Sequence, residues 1–147
     1  MIKNLQKLVS EKTGLDNFDS LVSVPTGGLV IGSALAIETV KPLIYVRDKP
    51  KDYGTTKSIE GRIFSSMKVV LIDDVITTGN SVTNAIKQLK DAGLSISDVY
   101  VIINRLEGAS NALKLEEVNL YQLTDVLEIT KILFQDCLLY TSPSPRD

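Results

Sequence analysis

The sequence predicts an α/β protein with a mostly parallel central sheet of about five strands flanked by helices. Three observations carry that prediction. Short apolar runs, SLVSV (20–24), PLIYV (42–46), VVLID (69–73), VYVIIN (99–104) and NLYQL (119–123), alternate with stretches of helical periodicity. VVLID is apolar without interruption up to its aspartate, as expected of a strand in the middle of a parallel sheet, covered on both faces. The chain has 147 residues, enough for one core and too few for two of ordinary size.

Taken in order, Ile2, Leu5, Leu8 and Val9 recur at helical spacing, which predicts a surface helix from Ile2 to Lys12 that Gly14 stops. The first strand follows, then a turn, Pro25-Thr26-Gly27-Gly28, and a helix from about Leu29 to Thr39. After PLIYV and Arg47 the chain turns polar. DKPKDYGTTKSIEG (48–61) has mixed charge, no periodicity and three breakers, Pro50, Gly54 and Gly61, so it reads as a long loop. The helix after VVLID is the clearest in the chain. Val82, Ala85, Ile86 and Leu89 lie on one face, Lys87 and Lys90 complement the C-terminal end of the helix dipole, and Gly93 supplies the cap. A further helix is expected near Ala109 to Leu115, before the last strand, and there is no internal repeat.

Composition narrows the function. Hydrophobic residues make up 44% and charged residues 23%, with a net charge of −2 spread in both signs, so neither a nucleic-acid nor a membrane surface is indicated. No apolar run is long enough to span a bilayer and the N-terminus is not a signal peptide, which makes a cytoplasmic protein the expectation. There is no histidine, so imidazole is excluded as base, nucleophile partner and metal ligand. The single cysteine, Cys137, cannot form an internal disulfide.

The chemistry concentrates in VVLIDDVITTGNSV (69–82). Ligands of an open parallel sheet bind beyond the carboxyl ends of the strands, where Asp73 and Asp74 are expected. Thr77, Thr78, Gly79, Asn80 and Ser81 then form a loop opening a helix, which aims free backbone N–H groups and short hydroxyls at one spot, an anion site. Neither G-x-x-x-x-G-K-[ST] nor G-x-G-x-x-G occurs, so the phosphate is held another way than in the common nucleotide binders. Carboxylates beside a phosphate loop suit a ribose, whose hydroxyls donate to them and whose anomeric carbon becomes cationic on losing its substituent. The plainer reading has Asp74 capping the turn and Asp73 pairing with a lysine; the attached TTGNS loop favours the ligand.

VVLIDDVITTGNSV resembles the phosphoribosyl-pyrophosphate (PRPP) motif of type I phosphoribosyltransferases. Further segments are similar to those of the orotate phosphoribosyltransferase family: LVSVPTGGLVIGSALA to its pyrophosphate loop, YVRDKPKDYGTTKSIEG to its flexible catalytic loop, and IINRLEG to the strand end whose arginine contacts orotate. The resemblance implies the type I phosphoribosyltransferase fold and transfer of phosphoribosyl from PRPP to orotate. It implies that Asp73 and Asp74 hold the ribose hydroxyls and face the cationic centre, and that Thr77, Thr78, Gly79, Asn80 and Ser81 grip the 5′-phosphate. Thr26, Gly27 and Gly28 would approach the pyrophosphate, Arg47 and Lys51 would reach it across a homodimer with shared active sites, and Lys51 would neutralise the leaving group. Arg105, helped by Thr77, would take the orotate carboxylate; for Arg105 alone the alternative is a surface ion pair. Mg²⁺ would enter on PRPP, with no direct protein ligand.

The chain departs from the family at Asp48, Tyr53, Asn80 and Asn104, the last standing where an aspartate usually precedes the arginine. The N-terminal hood of the family is expected to be missing or minimal. Residues 1–136 are expected to form the core, and 137–147, CLLYTSPSPRD, a non-native tail that resembles a translated sequencing adapter, a disordered Pro/Ser tail being the alternative. Two other functions stay open: a phosphoribosyltransferase acting on a purine base, against which the KDYGT loop and Asn104-Arg105 argue, and a PRPP-sensing regulator of the same fold, against which Lys51 argues.

Overall fold

The computed structural model describes residues 1–47 and 58–140. Its elements follow the order α1 (Ile2–Lys12), β1 (Ser20–Ser23), α2 (Gly27–Thr39), β2 (Leu43–Val46), β3 (Ile59–Glu60), β4 (Lys68–Ile76), α3 (Asn80–Asp91), β5 (Ser95–Asn104), α4 (Ala109–Leu115), β6 (Asn119–Asp125) and α5 (Val126–Tyr140). The strands form one sheet in the order β3-β2-β1-β4-β5-β6, parallel except for β3, which pairs antiparallel with β2.

Alternation along the central strands builds two cores. Val69 and Leu71 of β4 and Val99 and Val101 of β5 face α3 and α4. Val70 and Ile72 of β4 and Tyr100 of β5 face α1 and α2, where Leu5, Val9 and Leu35 meet them. The result is three layers, with helices on both sides of a sheet whose middle strands are buried on both faces, as the unbroken apolar run predicts.

Burial decides where α3 lies. Val82, Ala85, Ile86 and Leu89 are all buried against the sheet, each large aliphatic contributing about 1.5–3 kcal/mol. Lys87 and Lys90 reach Glu116 at the end of α4, at 3.9 and 3.1 Å, but these exposed pairs are worth about 0–1 kcal/mol each and only trim the fit. On the opposite face α2 lies against β1 at Gly32, where a Cβ would collide with the Ser23 hydroxyl.

The structure adds three features to the expected elements. There are six strands among the described residues, not about five, because Ile59 and Glu60, inside the segment read as loop, pair with Val46 and Tyr45. A two-residue strand is too short to show a period. Strand β4 continues past the carboxylates to Ile76, held by pairing of Val75 with Ile103 and Ile76 with Asn104. Finally, α5 follows β6 directly, with Asp125 Oδ1 accepting the N–H groups of Leu127 and Glu128 as its cap. The expected boundary after residue 136 falls within α5, and residues 141–147 lie outside those described. Among the described residues no helix is long and apolar enough to cross a membrane.

Candidate active site

The strand order reverses direction between β1 and β4: the chain leaves β1 through α2 towards β2, and leaves β4 through α3 towards β5. Two loops that diverge from neighbouring strand ends leave a crevice, the usual ligand position in such a sheet. Pairing of β1 with β4 ends at Ser23–Ile72, so Asp73 and Asp74 extend beyond the end of β1. The space there is taken by the turn into α2, which contains a cis peptide between Pro25 and Thr26.

That turn lies flush against the two carboxylates. A Cβ on Gly28 would stand 2.6 Å from Asp73 Oδ1 and 3.1 Å from both the Asp73 Cα and the Ile72 carbonyl oxygen, and a Cβ on Gly27 would collide with the Asp74 carboxylate. Sequence reasoning assigned the glycines to close approach of a pyrophosphate; the approach they permit in the protein itself is to Asp73 and Asp74. Thr26 is exposed at the tip of the turn. Asp73 is 8% exposed and its Oδ1 accepts the backbone N–H of Asp74 at 2.9 Å, which fixes the geometry of the pair. Asp74 is half-buried, with its carboxylate beside Gly27.

Residues 77–81 follow as the loop into α3. Gly79, buried at φ +87°, is the N-cap, a left-handed conformation that glycine adopts without a Cβ penalty, and its carbonyl accepts the Thr83 N–H at 2.8 Å. A Cβ at Gly79 would also press on Ala109 at the start of α4, 3.3 Å from its Cα. With no side-chain cap on α3, its first N–H groups face a cavity of about 100 Å³ bounded by Asp73 and residues 75–82. Thr78, Asn80 and Ser81 are exposed and Thr77 half-buried, so short hydroxyls and amides line an N-terminal helix dipole. The arrangement can hold a phosphate.

The arginines stand at the same carboxyl edge. Arg105 follows β5, and its N–H donates to the Ile76 carbonyl at 2.9 Å, which sets it beside the start of the Thr77 loop. Its guanidinium is 55% exposed and pairs with Glu107 at 2.6 Å. Arg47 ends β2 with its guanidinium 2.8 Å from Glu60 of β3. Its hydrogen bond to Tyr45, and then the Glu60 carboxylate, raise its pKa above the ordinary guanidinium value, so it stays charged at any working pH. Both arginines therefore hold an acidic neighbour that a ligand must replace. Lys51, like the departures Asp48 and Tyr53, lies outside the described residues.

Sequence reasoning missed these partners. Glu107 is signalled only by its i+2 spacing from Arg105, and Glu60 by nothing local, since β3 brings it back across the polar segment. Among the described residues no group of three or more His, Cys, Asp or Glu is placed to hold a metal ion. A larger cavity, about 410 Å³, lies at the opposite, amino edge of the sheet. Its buried Asp98 is already satisfied by Thr13, Ser97 and Asn119, and no strand-to-helix loop opens on it, so the smaller cavity is where ligand chemistry converges.

Comparison with known proteins places the chain in a family. The model of the phosphoribosyl transferase domain matches residues 1–121. The chain is 46% identical over 133 residues to an orotate phosphoribosyltransferase of Cenarchaeum symbiosum (strain A), covering 90% of this chain and 66% of that protein. It is 41% identical over 129 residues to one from Pyrococcus furiosus, covering 88% and 70% respectively. A crystal structure of orotate phosphoribosyltransferase from Aeropyrum pernix superimposes with a TM-score of 0.78 at 32% identity, over 90% of this chain and 76% of that one. The chain thus spans about two thirds of the length of these curated relatives.

Proposed function

The chain belongs to the phosphoribosyltransferase family, and within it to the orotate phosphoribosyltransferases, and on that premise we propose that it transfers the phosphoribosyl group of PRPP to orotate, giving orotidine 5′-phosphate and pyrophosphate. The observation that carries the reading is the carboxylate pair Asp73–Asp74, set against the bare backbone of Gly28 and Gly27, with Asp73 lining the same cavity as the anion loop of residues 77–81.

The roles follow from charge. The C1′–O bond to pyrophosphate breaks as the orotate nitrogen forms the C1′–N bond and loses its proton, and positive charge develops at C1′ between the two. Asp73 and Asp74 accept the ribose hydroxyls and stabilise that charge. The N–H groups and hydroxyls of Thr77, Thr78, Gly79, Asn80 and Ser81 anchor the 5′-phosphate, so that the reacting carbon is held at one distance from the base. Thr26, Gly27 and Gly28 line the pyrophosphate side. Arg105 and Thr77 bind the orotate carboxylate, whose two oxygens suit the guanidinium fork. Arg47 and Lys51 take the charge of the leaving pyrophosphate.

Mg²⁺, entering on PRPP, would supply further neutralisation of the leaving group. The carboxylates of Asp73 and Asp74, hard oxygen donors past the end of β1, would suit such a cation held on the substrate. A homodimer in which Arg47 and Lys51 complete the neighbouring site is supported by the outward face of α2 and its end, where Val30, Ile37 and Val40 are 67%, 81% and 90% exposed. A cytoplasmic location follows from the substrates.

Calorimetry with PRPP and Mg²⁺, followed by an orotate-consumption assay, tests the proposal. Saturable PRPP binding with loss of orotate absorbance is expected. A folded sample that binds no PRPP overturns it.

A further inference from the structure

Asn104 is the last residue of β5 and is 2% exposed, and both polar atoms of its side-chain amide have a partner. Its Oδ1 accepts the N–H of Leu106 at 2.8 Å, and its Nδ2 donates to Gln122 Oε1 on β6 at 2.7 Å. Gln122 Nε2 donates in turn to Asp125 Oδ2 at 3.0 Å, while the other oxygen of Asp125 caps α5. The direction of this chain is fixed at both ends. The Leu106 N–H can only donate and ionised Asp125 can only accept, so neither amide can be turned over without setting like against like.

The consequence falls on Arg105, which stands between the two anchored positions. Its own N–H is bound to the Ile76 carbonyl on β4, and the next residue, Leu106, is held at φ +60° by the Asn104 side chain. The backbone of Arg105 is therefore clamped on both sides, while its guanidinium is 55% exposed and, among the described residues, pairs with Glu107. A long side chain that must leave one carboxylate for another gains from a root that does not move, because less freedom is lost on binding.

We propose that Asn104 is a positioning residue for the base-binding step, fixing the strand-end turn from which Arg105 reaches the substrate carboxylate, with Gln122 and Asp125 holding Asn104 in turn. This rests on the reading of Arg105 given above.

The test compares Asn104→Ala, Asn104→Asp and Arg105→Ala by steady-state kinetics with orotate and by calorimetry with PRPP. Loss of one such hydrogen bond corresponds to up to about a tenfold change. Asn104→Ala should raise the KM for orotate by about that factor, with kcat and PRPP affinity unchanged. Asn104→Asp keeps the acceptor for Leu106 but sets a carboxylate oxygen against Gln122 Oε1, so it breaks the link to β6 and should raise the orotate KM nearly as far as alanine, again at constant kcat. Arg105→Ala should raise the orotate KM further than either. If Arg105→Ala leaves orotate KM unchanged, the reading of Arg105 fails and the proposal with it. If Arg105→Ala raises it and Asn104→Ala does not, the positioning role alone is overturned. Should alanine at 104 prevent folding, Gln122→Leu reads the same link: a raised orotate KM at constant kcat supports the proposal, and a wild-type KM overturns it.

Discussion

Gly27 leaves no room for a side chain beside Asp74: a Cβ there would stand 2.9 Å from Asp74 Oδ1, with Oδ2 and Cγ nearer still. The turn after β1 and the carboxylates of β4 are thus one packed unit. In Gly27→Ala the turn or the carboxylate must shift, and a displacement of about 1 Å at a reacting centre is worth about 100-fold in rate. We expect kcat/KM to fall by about that factor with little change in thermal unfolding, measured side by side.

Asp73 and Asp74 separate charge from shape. In Asp73→Asn the side-chain oxygen can still accept the Asp74 N–H, so the local fold is expected to survive. What is lost is negative charge facing the developing cation. Each single substitution should lower kcat by about 10²–10³-fold, the cost of removing one electrostatic stabiliser, and the double substitution should abolish turnover. Unfolding curves matching the wild type, together with silent kinetics, would verify this.

If Arg105 takes the orotate carboxylate as proposed, Glu107 competes with it. Their 2.6 Å pair is exposed and worth about 0.2–1 kcal/mol, so Glu107→Gln should tighten orotate binding by no more than about fivefold. The gain should shrink as salt rises, because screening weakens the pair in the wild type. Orotate KM at low and high ionic strength is the measurement.

Tyr100 makes stability fall at high pH. Burial pushes its phenol from 10.0 up to about 12, against a smaller opposing effect of its hydrogen bond with Thr13, and Asp98 and Tyr121 add to the rise. A pKa raised by folding means that the protonated phenol is preferred in the native state. Its contribution is complete below pH 10 and is lost as pH rises through about 12. Urea unfolding across pH 9–12 should show a steeper loss in the wild type than in Tyr100→Phe, and Tyr100→Phe should be less stable at pH 8 by about 1 kcal/mol for the lost hydrogen bond.

Much of the fold was legible because burial on one face leaves a local period. The α3 stripe, the α1 stripe and the unbroken run of β4 each declare themselves within a dozen residues, and α4 falls at Ala109–Leu115 as its pattern predicts. Helix α5 escaped because its apolar residues go nearly all round, with Leu127, Ile132, Leu133 and Phe134 exposed, so no face stands out. Strand β3 escaped because two residues have no period.

By itself the sequence determined the order of α1 to α4 and of every strand but β3, the carboxylate pair and the small-residue loop after it, since each is written in consecutive residues. Tertiary structure decided who meets whom: Gly27 and Gly28 against Asp74 and Asp73, Arg47 on Glu60, and Asn104 on Gln122. It also decided that β4 runs on to Ile76, because strand length beyond the apolar run is set by pairing with β5. These are contacts between segments remote in the chain, fixed by the strand order and twist of the sheet, and no local pattern of residues encodes them.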